Sequence, residues 1–191
     1  METLRTFIAI ELKPDIQEQL NAIQAHLKKT GADASWVKSP KIHLTLKFLG
    51  EIPSDKITSI ISAIQATAEC QVPFSLELTH LGAFPRIESP QVIWIGVEKG
   101  KEELKNIVFD LQERLAALGF PKEKKDFSPH ATLGRLRSSE NRFALIKSLK
   151  EFKIQFPLAQ EVRDIALIKS TLTSQGPIYE VLGKAELVLR K

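Results

Sequence analysis

The chain has 191 residues, a length that suits one domain or two small lobes. Its net charge of +4 and isoelectric point near 9.1 favour an anionic partner without requiring nucleic acid. The single cysteine, Cys70, excludes an internal disulfide and fits a reducing compartment. The N-terminus lacks a signal-peptide core and no apolar run reaches the ~20 residues of a membrane span, so we expect a soluble cytoplasmic protein that does not bind membranes.

Hydrophobic periodicity predicts alternating strands and helices along the chain. In the first half it indicates strands at residues 7–10, 42–49 and 74–78, and helices at 16–27 and 57–68. A loop rich in Gly and Pro is expected at 82–90, before a strand at 92–97 and a helix at 104–118. The remainder predicts a strand at 130–133, a helix at 141–149 capped by Ser138 or Ser139, and closing strands at 165–168 and 179–187. Strands that outnumber helices favour an α+β fold with mostly antiparallel sheets.

Two of these strands carry the same polar motif. With the period of a strand, His43 and Thr45 share one face while apolar residues occupy the other. His130 and Thr132 repeat the arrangement, and each motif follows a Ser-Pro step. A His-x-Thr-Leu pattern that occurs twice predicts a duplicated catalytic half-site.

A pair of histidines matches the chemistry of phosphoester cleavage. Imidazole titrates near pH 6.5, so one histidine can act as a general base while the other acts as a general acid. Each role contributes roughly 10²- to 10⁴-fold in rate. The hydroxyls of Thr45 and Thr132, two residues along each strand, are placed to donate hydrogen bonds to phosphoryl oxygens.

Arg135 is the third candidate for binding the phosphate. Its guanidinium matches a phosphate with two parallel hydrogen bonds. Strict alternation from His130 would turn Arg135 toward the core, so this assignment requires a β-bulge at Gly134.

These motifs and their flanks resemble those of the two-histidine phosphoesterases, and most closely the RNA 2′,3′-cyclic phosphodiesterase (2′-5′ RNA ligase) family. The resemblance extends along nearly the whole chain. It includes the segments Arg5-Thr6-Phe7-Ile8-Ala9-Ile10, Phe84-Pro85, Trp94-Ile95-Gly96, Phe127-Ser128-Pro129-His130 and Gly176-Pro177-Ile178-Tyr179.

The resemblance implies a single bilobal domain over residues 1–191. Its two pseudo-symmetric lobes, each a small antiparallel sheet with outer helices, would face each other across a central cleft. It implies hydrolysis of RNA 2′,3′-cyclic phosphate ends, or of cyclic nucleotides, to 2′-phosphomonoesters without a metal or cofactor. His43 would be the proton donor and His130 the acceptor, and we expect a monomer.

Other interpretations remain open from sequence. The same site could join a cyclic phosphate to a 5′-hydroxyl, hydrolyse another cyclic nucleotide, or belong to a non-catalytic RNA- or nucleotide-binding module. Zinc binding is not expected, because neither histidine has a second ligand at i+2 or i+4.

The neighbours of the motifs carry further predictions. Phe48 falls on the apolar face and is predicted to lie in the core. Lys47 shares the face of His43 and is interpreted either as an RNA contact or as a solvated lysine. Trp36, Trp94 and Tyr179 are expected in the core or between lobes. His26, His80 and the lysine-rich loop at 122–126 are expected at the surface.

Overall fold

The computed structural model describes residues 2–174 and 176–188. Within these residues the chain forms four α-helices and nine strands. The helices are α1 (Pro14–Lys28), α2 (Ile57–Ala68), α3 (Lys101–Ala117) and α4 (Arg142–Glu151). The strands are β1 (Thr3–Glu11), β2 (Ala34–Trp36), β3 (His43–Pro53), β4 (Phe74–Arg86), β5 (Ser89–Val97), β6 (His130–Leu136), β7 (Leu158–Val162), β8 (Asp164–Thr173) and β9 (Gly176–Glu186).

The sheet consists of two four-stranded halves. Its strand order is β7-β4-β5-β6-β3-β1-β8-β9, with β2 added beside β6, and the strand pairs are antiparallel. The halves meet where β3 pairs with β6 through Leu44 and Ala131, so the two predicted sheets join into one curled sheet at this point. The α+β class and the duplicated arrangement are confirmed, and the junction falls at the two His-x-Thr motifs.

Two of the four helices in the described residues, α1 and α3, bind the halves of the sheet together by crossing between them. α1 follows β1 in the chain but packs against β7 and α4 of the other half. α3 lies between β5 and β6 in the chain but packs against α2 and β3. Amphipathic stripes explain both helices, because the buried residues of α1, for example Ile16, Leu20 and Leu27, recur on one face.

The Gly- and Pro-rich segment at 82–90 is a hairpin and not a loop, so that prediction is wrong. β4 continues to Arg86 and β5 begins at Ser89. Gly82 lies within β4. A side chain is excluded at this position because a Cβ there would lie 2.2 Å from the ring of Trp94, which covers the glycine. The predicted serine cap of α4 is also wrong, since Asn141 occupies the N-cap position in a left-handed conformation.

Two matching β-bulges interrupt the strands that carry the motifs. On β3, Thr45 lies opposite Ala9 and Lys47 opposite Ile8, which leaves Leu46 as an extra residue. On β6, Leu133 is extra in the same way against β5. Leu46 and Leu133 are both the fourth residue of a His-x-Thr-Leu motif, so the two halves share this irregularity.

Each bulge reverses the alternation that follows it. Lys47 is therefore buried, with 4% of its surface exposed, whereas Phe48 is 61% exposed. The prediction of Phe48 in the core is wrong, and so are both interpretations of Lys47. The Lys47 ammonium donates to the carbonyl of Pro121 at 2.8 Å, fixing the start of the loop that leads to β6. Arg135, the equivalent of Phe48, is exposed.

Candidate active site

The junction between β3 and β6 brings the two motifs onto one face of the sheet. Leu44 and Ala131 are paired and point into the core. Their neighbours must point to the opposite face, which sets His43 beside Thr132 and Thr45 beside His130 on adjacent strands. Residues diagonal to one another in such a pair have Cα atoms roughly 7–8 Å apart, so the two histidines are neighbours across the strands.

His43 is held in a defined tautomer and orientation. Its Nδ1 lies 2.8 Å from the carbonyl oxygen of Lys41, which can only accept, so Nδ1 carries a proton. Its Nε2 lies 3.1 Å from the hydroxyl of Thr45. The imidazole stacks on Phe7 at 4.6 Å between ring centroids and meets the edge of Tyr179 at 5.4 Å. Because Nδ1 is hydrogen-bonded to a carbonyl, Nε2 is the ring nitrogen available for proton transfer.

His130 is fixed in the same tautomer. Its Nδ1 donates to the carbonyl oxygen of Ser128 at 2.7 Å. Its ring packs against Phe84 at 4.9 Å and Trp94 at 6.0 Å. Both motifs therefore use a carbonyl two residues before the histidine and an aromatic wall to present Nε2.

The charges beside the two histidines differ in sign. Burial is the largest influence on both and lowers the pKa of each imidazole, while the carbonyl hydrogen bonds raise it. Glu11 also raises the pKa of His43, whereas Arg135 lowers the pKa of His130. Burial outweighs these charges, so the pKa of both imidazoles is lowered.

The cleft on this face has a volume of about 810 Å³. Four of the five predicted site residues line it: His43, Thr45, Thr132 and Arg135. His130 shares the sheet face but is not one of the lining residues. Trp36 and Tyr179, expected in the core or between lobes, are half-buried and line the cleft as well.

Arg135 reaches the cleft through a β-bulge, as its assignment required, but the extra residue is Leu133 and not the predicted Gly134. A buried side chain from α1 holds this bulge. The Gln24 amide donates to the carbonyl of Leu133 at 2.8 Å and to that of Val37 at 2.8 Å. Val37 in turn donates its N–H to Leu133, tying the end of β2 to the bulge.

Sequence reasoning missed Gln24, Phe48 and Lys41. A polar residue on the apolar face of α1 was the available signal for Gln24, which is 1% exposed. Phe48 was hidden by the bulge. Lys41 contributes its carbonyl to His43, and its ammonium donates to the carbonyl of Pro177, connecting the motif to β9.

The remaining surface predictions are confirmed, because His26, His80 and residues 122–126 are exposed. Within residues 2–174 and 176–188, no three His, Cys, Asp or Glu side chains come together as a metal site. No helix of the described part is long and apolar enough to span a membrane.

The duplicated site has a match among known families. The family model of the LigT-like phosphoesterases matches the chain twice, at residues 10–94 and 95–179, with one His-x-Thr motif in each match. The chain belongs to the LigT-like phosphoesterase family.

Relatives within this family extend over most of the chain. An RNA 2′,3′-cyclic phosphodiesterase from Aquifex aeolicus is 35% identical over 95% of this chain and 96% of its own length. A protein of the same name from Aeropyrum pernix is 37% identical over 86% of this chain and 92% of its own.

Solved LigT-like structures have the same fold. TT0787 of Thermus thermophilus superposes with a TM-score of 0.80 at 26% identity, covering 96% of this chain and 98% of that one. E. coli LigT complexed with 3′-AMP superposes with a TM-score of 0.78 at 26% identity, covering 98% and 100%.

Proposed function

We propose that this protein hydrolyses RNA 2′,3′-cyclic phosphate ends to 2′-phosphomonoesters by paired general acid–base catalysis. The supporting observation is that His43 and His130 both donate Nδ1–H to a backbone carbonyl on one sheet face. Nε2 of His43 lies beside the Thr45 hydroxyl, and the pairing of β3 with β6 sets His130 and Thr132 on the same sheet face. This arrangement suits in-line displacement at a single phosphorus atom. The relatives named RNA 2′,3′-cyclic phosphodiesterase supply the substrate class.

In this mechanism Nε2 of His130 removes a proton from water as the water oxygen attacks phosphorus. The bond between phosphorus and the 3′ oxygen breaks, and Nε2 of His43 donates a proton to that oxygen. The products are a 2′-phosphomonoester and a 3′-hydroxyl. Thr45 and Thr132 donate to the non-bridging oxygens, and Arg135 offsets the negative charge on the phosphoryl group.

The neighbouring charges support these directions of proton transfer. Burial lowers the pKa of both histidines, but Glu11 opposes this effect at His43, the donor, and Arg135 adds to it at His130, the acceptor. Bound phosphate adds negative charge and so favours protonation of His43 further. The chain's own side chains supply every proton transfer, so we propose catalysis without a metal.

A short RNA with a 2′,3′-cyclic phosphate tests the proposal by product analysis. We expect release of a 2′-phosphate, a fall of roughly 10²- to 10⁴-fold for His43→Ala and for His130→Ala, and full activity in a chelator. Near-normal rates in both variants would refute the mechanism. Loss of activity on chelation would indicate a metal site, and joining to a 5′-hydroxyl RNA without hydrolysis would indicate a ligase.

We also propose that residues 1–191 act as one bilobal domain, a monomer that works in the cytoplasm. The exchange of α1 and α3 between halves supports a single unit, although residues 1, 175 and 189–191 lie outside the described part. Sedimentation at working concentration tests the monomer, and one cooperative unfolding transition tests the single unit.

A further inference from the structure

The side chains that line the cleft account for the net charge of +4. Five basic side chains line it against one carboxylate, that of Glu51; the five are Arg5, Lys38, Lys41, Arg135 and Arg137. Removing these six side chains from the chain's 27 basic and 23 acidic residues leaves 22 of each. The rest of the molecule is balanced, so positive potential is concentrated where a ligand would bind.

Most of these cations have no carboxylate partner within the described part of the chain. Among the described residues, no carboxylate lies within 4.0 Å of Arg5, Lys38, Arg135 or Arg137, although ion pairs occur elsewhere on the surface. Like charges that converge without counterions repel each other and contribute nothing to folding. Their arrangement is explained by an anion that occupies the cleft.

The cations extend away from the reacting centre along β6. Arg135 lies opposite Ser35 of β2, and Arg137 continues the pairing by donating its N–H to the carbonyl of Asp33. Two residues of extended chain place Arg137 roughly 7 Å beyond Arg135 and farther from Thr132. A cyclic mononucleotide carries one negative charge, at the reacting phosphorus, so it has no group for a cation at this distance.

We propose that Arg137 forms a subsite for phosphodiester groups on the 5′ side of the reacting nucleotide. The preferred substrate is then an RNA strand and not a free cyclic mononucleotide. This inference rests on the proposed function, and it adds a second place of contact that the acid–base pair does not require. Single-stranded nucleic acid supplies one phosphate per nucleotide, which matches a row of cations.

The test compares 2′,3′-cyclic AMP with a five-nucleotide RNA ending in the same cyclic phosphate over a salt series. For the intact protein, log kcat/KM should fall more steeply with log salt on the RNA, by about 0.7 per upstream phosphate contacted. Arg137→Gln should lower kcat/KM on the RNA about 10-fold at low salt and reduce that slope by about 0.7. On 2′,3′-cyclic AMP, the kcat/KM of Arg137→Gln should stay within about twofold of that of the intact protein. The control, Arg163→Gln, removes an exposed arginine that pairs with Glu161 outside the cleft, and should change neither substrate.

Equal salt slopes on the two substrates, or an equal effect of Arg137→Gln on both, would overturn the subsite. Weaker inhibition by ATP in Arg137→Gln, with RNA hydrolysis unchanged, would assign the cations to a polyphosphate nucleotide and also overturn it. If the intact protein hydrolysed neither substrate, the proposed function itself would fail and the inference with it. Hydrolysis of both without a selective effect would refute the subsite alone.

Discussion

Gln24 offers a direct test of how the fold places Arg135. Its amide holds the carbonyls of Val37 and Leu133, and Leu133 is the extra residue that turns Arg135 to the cleft. Gln24→Met keeps the volume of the side chain but removes both donors. The Leu133 carbonyl keeps its hydrogen bond from the Val37 N–H, so the Val37 carbonyl is the acceptor that loses its partner. An unsatisfied buried acceptor costs about 1–3 kcal/mol, so we expect the free energy of unfolding to fall by that amount. In a chain of this length, Tm falls by about 2–4 °C for each kcal/mol.

The same change should reduce activity through Arg135. A hydrogen bond from a charged group contributes about 1.5–3 kcal/mol, so loss of Arg135 should lower kcat/KM about 10- to 150-fold. If the bulge relaxes without Gln24, the strand regains strict alternation and Arg135 rotates away from the cleft. Gln24→Met should therefore reproduce part of the defect of Arg135→Gln and add little to it in the double variant.

Steady-state kinetics on a cyclic-phosphate substrate and urea unfolding measure both effects. The matched control is Thr67→Val on α2, which removes the hydroxyl of a fully buried threonine that donates to Asp110 of α3 at 2.6 Å. The control should lose stability while keeping its kcat/KM. An unchanged kcat/KM in Gln24→Met, or fully additive losses with Arg135→Gln, would contradict the positioning role.

Further predictions concern pH and the aromatic residues. Because burial lowers the pKa of both histidines, the limbs of the kcat/KM–pH profile should lie below the ordinary imidazole value near 6.5. Arg135→Gln should move the His130 limb to higher pH, since it removes a cation that lowers that pKa; no shift would separate Arg135 from His130. The free energy of unfolding should decrease as pH falls below about 6.5, because the imidazole of His43 binds a proton more readily in the unfolded chain than in its buried folded position. Urea titrations of His43→Ala should show a shallower decrease with pH. Phe7→Ala should lower the free energy of unfolding by about 3–5 kcal/mol because Phe7 is 3% exposed. Phe48→Ala should change it by less than about 0.5 kcal/mol because Phe48 is exposed. Similar losses for the two variants in denaturant unfolding would contradict the bulge.

The two bulges make a duplicated site chemically asymmetric. Each delivers the fifth residue after its histidine to the open face, but one half supplies Phe48 and the other supplies Arg135. The residue before it is buried in both halves, as Lys47 in one and Gly134 in the other. Equal backbones thus present an apolar ring on one side and a cation on the other, which is how a symmetric fold can bind an asymmetric substrate.

The α+β class, most helices and strands, and the outward face of the strands that His43, Thr45, His130 and Thr132 share could all be predicted from the order of the amino acids. Those features follow from local periodicity and from a motif that occurs twice, so a chain read in order contains them. Only the folded chain shows that Phe48 is exposed, that Lys47 is buried, that residues 82–90 form a hairpin, and that Gln24 fixes the bulge before Arg135. A bulge is a mismatch between two strands, and a buried glutamine finds its carbonyls on distant segments. Such features depend on which segments become neighbours, and local pattern does not contain that information.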